Sequence, residues 1–152
     1  MEPQETVFNH VGLCVTDIQR SRRFYEEALG FTFWWELTEL PEEDAATLLM
    51  LETPLEFKTA YLIRDGFVLE LLNYAPDRMQ PTRSRGMAEP GLTHISVTVG
   101  DMRAAFARVE EFGGTVLHET NTGPAVMIRD PDGQLIELLE PSWFEWQPPR
   151  PT

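Results

Sequence analysis

The sequence predicts an α+β fold built from two tandem βαβββ units, and three observations predict it. FNHVGLCVTDI from Phe8 aligns without a gap with LTHISVTVGDM from Leu92, which sets His10 on His94 and Asp17 on Asp101 at an offset of 84. The same offset carries Gly30 onto Gly114 after stretches of helical length. Further along, LIRDGFVLELL from Leu62 resembles MIRDPDGQLIELL from Met127, with two extra residues in the later turn, so that Glu70 falls on Glu137. The first unit is read as 6–76 and the second as 90–141, with a linker at 77–89 and a tail at 142–152.

Each element follows from local pattern. Residues 8–15 and 92–99 are short runs rich in Val, Ile and Thr, which favours strands. Asp17 and Asp101 stand where a helix needs an acceptor for its first N–H groups, ahead of RSRRFYEEAL and RAAFARVEEF. Gly30 and the Gly113-Gly114 pair stop those helices, and FTFWWEL and TVLHET then read as second strands. PEEDAATLLML, residues 41–51, reads as a short helix with a solvated acidic start at Glu42, Glu43 and Asp44. IRDPDG reads as the turn before the last strand, and PSWFEWQPPRPT as an irregular strap too proline-rich to continue a sheet.

Composition narrows the function classes. Twelve basic against 25 acidic residues leave a net charge of -13, which repels a phosphate backbone, so nucleic acid is not an expected partner. The single Cys14 cannot close an internal disulfide, and no stretch approaches the roughly 20 apolar residues of a membrane span. With a polar, acidic opening unlike a secretion signal, the expected compartment is the cytoplasm, with no membrane partner.

Side chains alternate across a strand, so His10, Gly12 and Cys14 share one face while Val11, Leu13 and Val15 share the other; His94, Ser96 and Thr98 stand likewise against Ile95, Val97 and Val99. The aliphatic faces suit covering helices on the outside, and the histidine faces suit a cavity lining. Glu70 and Glu137 lie inside otherwise apolar strands, where an unpaired carboxylate costs several kcal/mol and demands a cation, a partner or water. Two imidazoles and two carboxylates suit one divalent ion, with Zn or Ni expected first and Co, Mn or Fe(II) as alternatives, and they leave a coordination position for substrate. Such an ion would stabilise an enolate formed when a neighbouring C–H proton leaves.

The duplicated units, NHVGLCVTD, THISVTVGD and above all RDPDGQLIELLEP resemble the vicinal oxygen chelate superfamily over nearly the whole chain, as one domain of residues 1–152. The resemblance implies a U-shaped mixed sheet around a metal cup. It implies metal ligands at His10, Glu70, His94 and Glu137, with Glu137 or Glu70 also as the catalytic proton carrier. It further implies a homodimer whose cups close within one chain or by exchange between two. A full ligand set is similar to that of bacterial glyoxalase I, which points to a metal-dependent lyase or isomerase moving a proton through an enolate in a small oxygen-chelating substrate. Two alternatives stay open: an Fe(II) extradiol dioxygenase of catechols using His10, His94 and Glu137, and a non-catalytic protein that sequesters a small hydrophobic compound.

Other residues take plainer readings. Cys14 is expected to pack as a small buried apolar residue, and His118 as an ordinary histidine. Trp34, Trp35, Trp143, Phe144 and Trp146 lean the substrate class towards apolar compounds, and the arginines of PTRSRGM either clamp an anion or are solvated.

Overall fold

The computed structural model describes residues 6–149, so the opening residues behind the reading against a secretion signal, and the last three of the proline-rich tail, lie outside the described residues. Contacts divide the chain into two compact units: residues up to 22 with 31–80, and residues 23–30 with those from 81 onward. Among the described residues no helix is long and apolar enough to cross a membrane.

The first unit holds one four-stranded mixed sheet of order β1-β4-β3-β2, from β1 (Val11–Cys14), β2 (Thr32–Trp35), β3 (Lys58–Arg64) and β4 (Phe67–Asn73). β1 runs parallel to β4 with Gly12 opposite Glu70, and β3 runs antiparallel to β4 with Tyr61 opposite Glu70. That register is set by the two-residue Asp65-Gly66 turn, whose φ values of 49° and 76° are those of the turn that matches strand twist. Helix α1 (Ile18–Arg23) begins where Asp17 Oδ1 accepts the Arg20 N–H at 3.0 Å, the cap predicted from sequence. Val15, Leu62, Leu69 and Leu71 are fully buried and form the apolar layer of this sheet.

Helix α2 (Glu42–Leu49) forms as read, over a small core of Ala45, Ala46 and Leu55 with Leu40, Leu49, Leu51 and Phe57 around it. Its start is not simply solvated: Glu42 Oε1 accepts the backbone N–H groups of Leu55 at 2.5 Å and Glu56 at 3.3 Å. A carboxylate accepting from two backbone amides ties the loop after the helix to its first turn.

The second unit repeats the sheet as β5-β8-β7-β6, from β5 (His94–Thr98), β6 (Thr115–Val116), β7 (Ala125–Arg129) and β8 (Leu135–Leu139). The register is the same as in the first unit, with Ser96 opposite Glu137 on one side and Met127 opposite it on the other. Helix α3 (Met102–Glu111) carries its cap at Asp101, whose Oδ1 accepts the Ala104 N–H at 3.0 Å. The segment read as a strand through residue 120 breaks after Val116. Thr120 bends it into a 3₁₀ turn (His118–Thr120), donating its hydroxyl to the Leu117 carbonyl and accepting the Met127 N–H, which replaces ladder bonds with side-chain ones.

The predicted first helix ends in this second unit, as a π-helical turn over Phe24–Ala28. Phe24 and Tyr25 are adjacent in sequence and both fully buried, which the wider turn accommodates by rotating successive side chains to one side. The Tyr25 hydroxyl donates to Asp130 Oδ2 at 3.0 Å, while Asp130 Oδ1 accepts the N–H groups of Asp132 and Gln134 and so shapes the turn before β8. Gly113 has a φ of +88°, as the helix stop requires, whereas Gly114 serves a different need. A Cβ there would stand 2.6 Å from Phe24 Cε2 and 2.7 Å from the Arg129 carbonyl oxygen, so the chain is bare where it passes between them.

Candidate functional site

In the first unit, His10 precedes β1 and Glu70 lies in β4, and His10 Nε2 is 3.0 Å from Glu70 Oε2. The other ring nitrogen, Nδ1, is 2.6 Å from Asn9 Oδ1. A carbonyl oxygen only accepts, so Nδ1 donates to Asn9 and Nε2 is the ring nitrogen turned towards Glu70. Glu70 is buried, and its Oε1 accepts the hydroxyl of Tyr61 from the neighbouring strand. Burial first, then the bond to Glu70 and its charge, push the Tyr61 phenol well above its ordinary value, which keeps it a donor. Tyr74, stacked on Phe57, is pushed up to about 12 by burial and by the charges of Cys14 and Glu70.

The second unit repeats the pair in looser form. His94 Nε2 is 3.8 Å from Glu137 Oε2, and His94 Nδ1 is 2.8 Å from the Thr93 hydroxyl. Ser96 donates its hydroxyl to Glu137 Oε2 at 2.9 Å. Both pairs therefore share one construction. The residue ahead of each histidine engages Nδ1, and Nε2 turns to the glutamate of the parallel strand.

The donor chemistry of each pair fits a divalent ion. Nε2 of His10 and Oε2 of Glu70 stand 3.0 Å apart, and an imidazole nitrogen and a carboxylate oxygen that close suit a shared positive charge, a proton or a metal ion. Two such donors, each about 2.1 Å from a common ion, stand about 3.0 Å apart at a right angle and nearly 4 Å apart at a wider one, which spans both observed separations. Each unit by itself supplies two donors. Among the described residues there is no group of three or more His, Cys, Asp and Glu side chains placed to hold a metal ion.

Residues 7–138 match the family model described as the Glyoxalase/Bleomycin resistance protein/Dioxygenase superfamily. The chain belongs to that superfamily. It is 30% identical over 148 residues to a lactoylglutathione lyase of Pseudomonas putida, covering 90% of this chain and 86% of that one. Two solved structures share the superfamily fold. One, a glyoxalase family protein of Bacillus cereus, has a TM-score of 0.75 at 19% identity and covers 92% of this chain and 97% of its own. The other, a trypanothione-dependent glyoxalase I of Leishmania major, has a TM-score of 0.65 at 23% identity over 90% of this chain and 88% of its own.

The remaining sequence-predicted residues of this superfamily member fall into place unevenly. Cys14 is exposed rather than buried, with its Sγ 3.9 Å from Met79 Sδ, because β1 turns its small-residue face away from the apolar layer. Trp34 and Trp35 are 57% and 39% exposed and do not serve as core. Trp35 stacks on Tyr61 at 4.7 Å, and Trp34 and His10 meet the same ring edge-on. Trp143 and Trp146 lean on each other at 5.3 Å. Arg83 and Arg85 both pair with Glu89, holding its carboxyl below the ordinary range, and Arg85 also donates to the carbonyls of Pro90 and Leu92, so the linker arginines fasten the linker itself. His118 meets the edge of Phe106.

Sequence reasoning missed Tyr61, Asn9 and Thr93. The signal for Tyr61 was present: a two-residue Asp-Gly hairpin pairs 64 with 67, and counting back along the ladder brings 61 against 70. Asn9 and Thr93 differ from each other in type, so comparison of the two halves does not single them out.

Proposed function

We propose that this superfamily member is a metal-dependent lyase or isomerase of glyoxalase I type. In this reading His10, Glu70, His94 and Glu137 hold one divalent ion, Zn or Ni first, drawn from one first-unit pair and one second-unit pair in a homodimer. The observation that carries it is the His–Glu pair repeated at matched register in both units, each with Nε2 facing a carboxylate. The likeness to a lactoylglutathione lyase over most of both chains supports a hemithioacetal, formed from a 2-oxoaldehyde and glutathione, as the substrate to try first.

A divalent ion in that set supplies Lewis acidity, which stabilises negative charge on a substrate oxygen next to it. The chain's own residues do the rest. Asn9 and Thr93 fix the two imidazole rings through Nδ1. Glu137, held at Oε2 by the rotatable Ser96 hydroxyl, takes a proton from the substrate carbon at Oε1 and returns it to the adjacent carbon. Replacing Glu137 with Gln keeps an oxygen donor but removes the base. The expected result is loss of turnover by about 100-fold or more with bound metal largely retained, measured as thioester formation alongside metal content. Unchanged turnover rejects the role, and oxygen uptake with catechols in place of isomerisation replaces the reading with a dioxygenase.

A further inference from the structure

We infer that Tyr61 is a positioning residue for Glu70, fixing one carboxylate oxygen so that the other is presented beside His10. The inference rests on the metal-binding reading above and adds to it a residue outside the His–Glu pattern.

Tyr61 and Glu70 are direct cross-strand partners, a placement set by the Asp65-Gly66 turn rather than by side-chain mobility. The Tyr61 hydroxyl donates to Oε1, while Oε2 lies 3.0 Å from His10 Nε2. A carboxylate bound at one oxygen by a rigid donor loses the rotation that would otherwise average its two oxygens. The donor itself is held in place, because Trp35 stacks on its ring at an interplanar angle of 12° and His10 meets it edge-on at 5.6 Å. On the other flank of Glu70 the chain carries Gly12, where a Cβ would lie 3.6 Å from Oε2 and 3.2 Å from Leu72 Cδ1.

The second unit lacks this arrangement. Opposite Glu137 stands Met127, whose thioether donates no hydrogen bond, and Glu137 is held instead by the Ser96 hydroxyl of the parallel strand. One duplicated scaffold thus holds its two glutamates differently, Glu70 by a packed phenol and Glu137 by a small exposed hydroxyl. Glu70 is the stationary member of the pair.

The test uses cobalt(II) alone as the probe, followed by its visible absorption, on the full chain and on Y61F, E70A and the double variant. Y61F is expected to weaken cobalt binding about 10- to 100-fold and to alter the spectrum. E70A weakens it as well, and Y61F adds nothing in the E70A background, because Tyr61 acts through Glu70. Unchanged affinity and spectrum in Y61F, with a loss in E70A, overturn the role of Tyr61 and leave the metal reading standing, even if the melting temperature falls. Additive losses in the double variant also overturn it. No cobalt binding by the unmodified chain overturns both readings together. Should Y61F not fold, Y61M gives the same comparison with the side chain that the second unit carries opposite Glu137.

Discussion

Asp130 shows what a single buried carboxylate does for this chain. It is 3% exposed and accepts three hydrogen bonds, from the Tyr25 hydroxyl and the N–H groups of Asp132 and Gln134. Burial nonetheless outweighs those bonds and raises its carboxyl above the ordinary value. A carboxyl raised on folding stabilises the native state fully below its unfolded value of about 3.9, and that contribution is lost as pH rises through the higher native value. Asp130→Asn keeps the acceptor for both backbone amides and does not titrate. Urea unfolding of both proteins across acidic to neutral pH should therefore show the wild type losing ground to the variant as pH rises through that window, then a constant difference. A difference that grows in the wild type's favour with pH contradicts the assignment.

At the scale of elements, the parts legible in the sequence were those written in local chemistry. Asp17 and Asp101 cap their helices as spacing implied, and the two glutamate strands fall in the same register because each follows a short turn. What escaped the sequence depends on distant partners. The π-helical turn at Phe24–Ala28 sets Tyr25 on Asp130 and Phe24 beside Gly114, partners about a hundred positions later that no local period records. Gly114 reads as a helix stop beside Gly113, yet its necessity comes from Phe24 and the Arg129 carbonyl. Gly114→Ala should accordingly cost about 1–3 kcal/mol in denaturant unfolding, since a backbone oxygen cannot step aside. A neutral effect would mean that the π-helical turn can shift to make room.

For the whole molecule, duplication makes the candidate residues legible in the sequence. His10, Glu70, His94 and Glu137 stood out because each has a counterpart at the matching place in the other half, while Tyr61, with Met127 opposite, did not. Each unit brings together its own His–Glu pair. If one pair of each kind shares an ion in a homodimer, as proposed, light scattering should return twice the chain mass. Mixed dimers of His10→Ala and His94→Ala distinguish how the pairs are shared, since activity returns on mixing only when donors come from two chains.

The most direct test is the metal content and metal affinity of protein purified without chelator, compared with His10→Ala, Glu70→Ala, His94→Ala and Glu137→Ala. The expected result is one divalent ion for every set of four donors and a loss of affinity in all four variants, with first-unit and second-unit substitutions alike. Binding that survives substitution in either unit, or no bound ion at all, would contradict it.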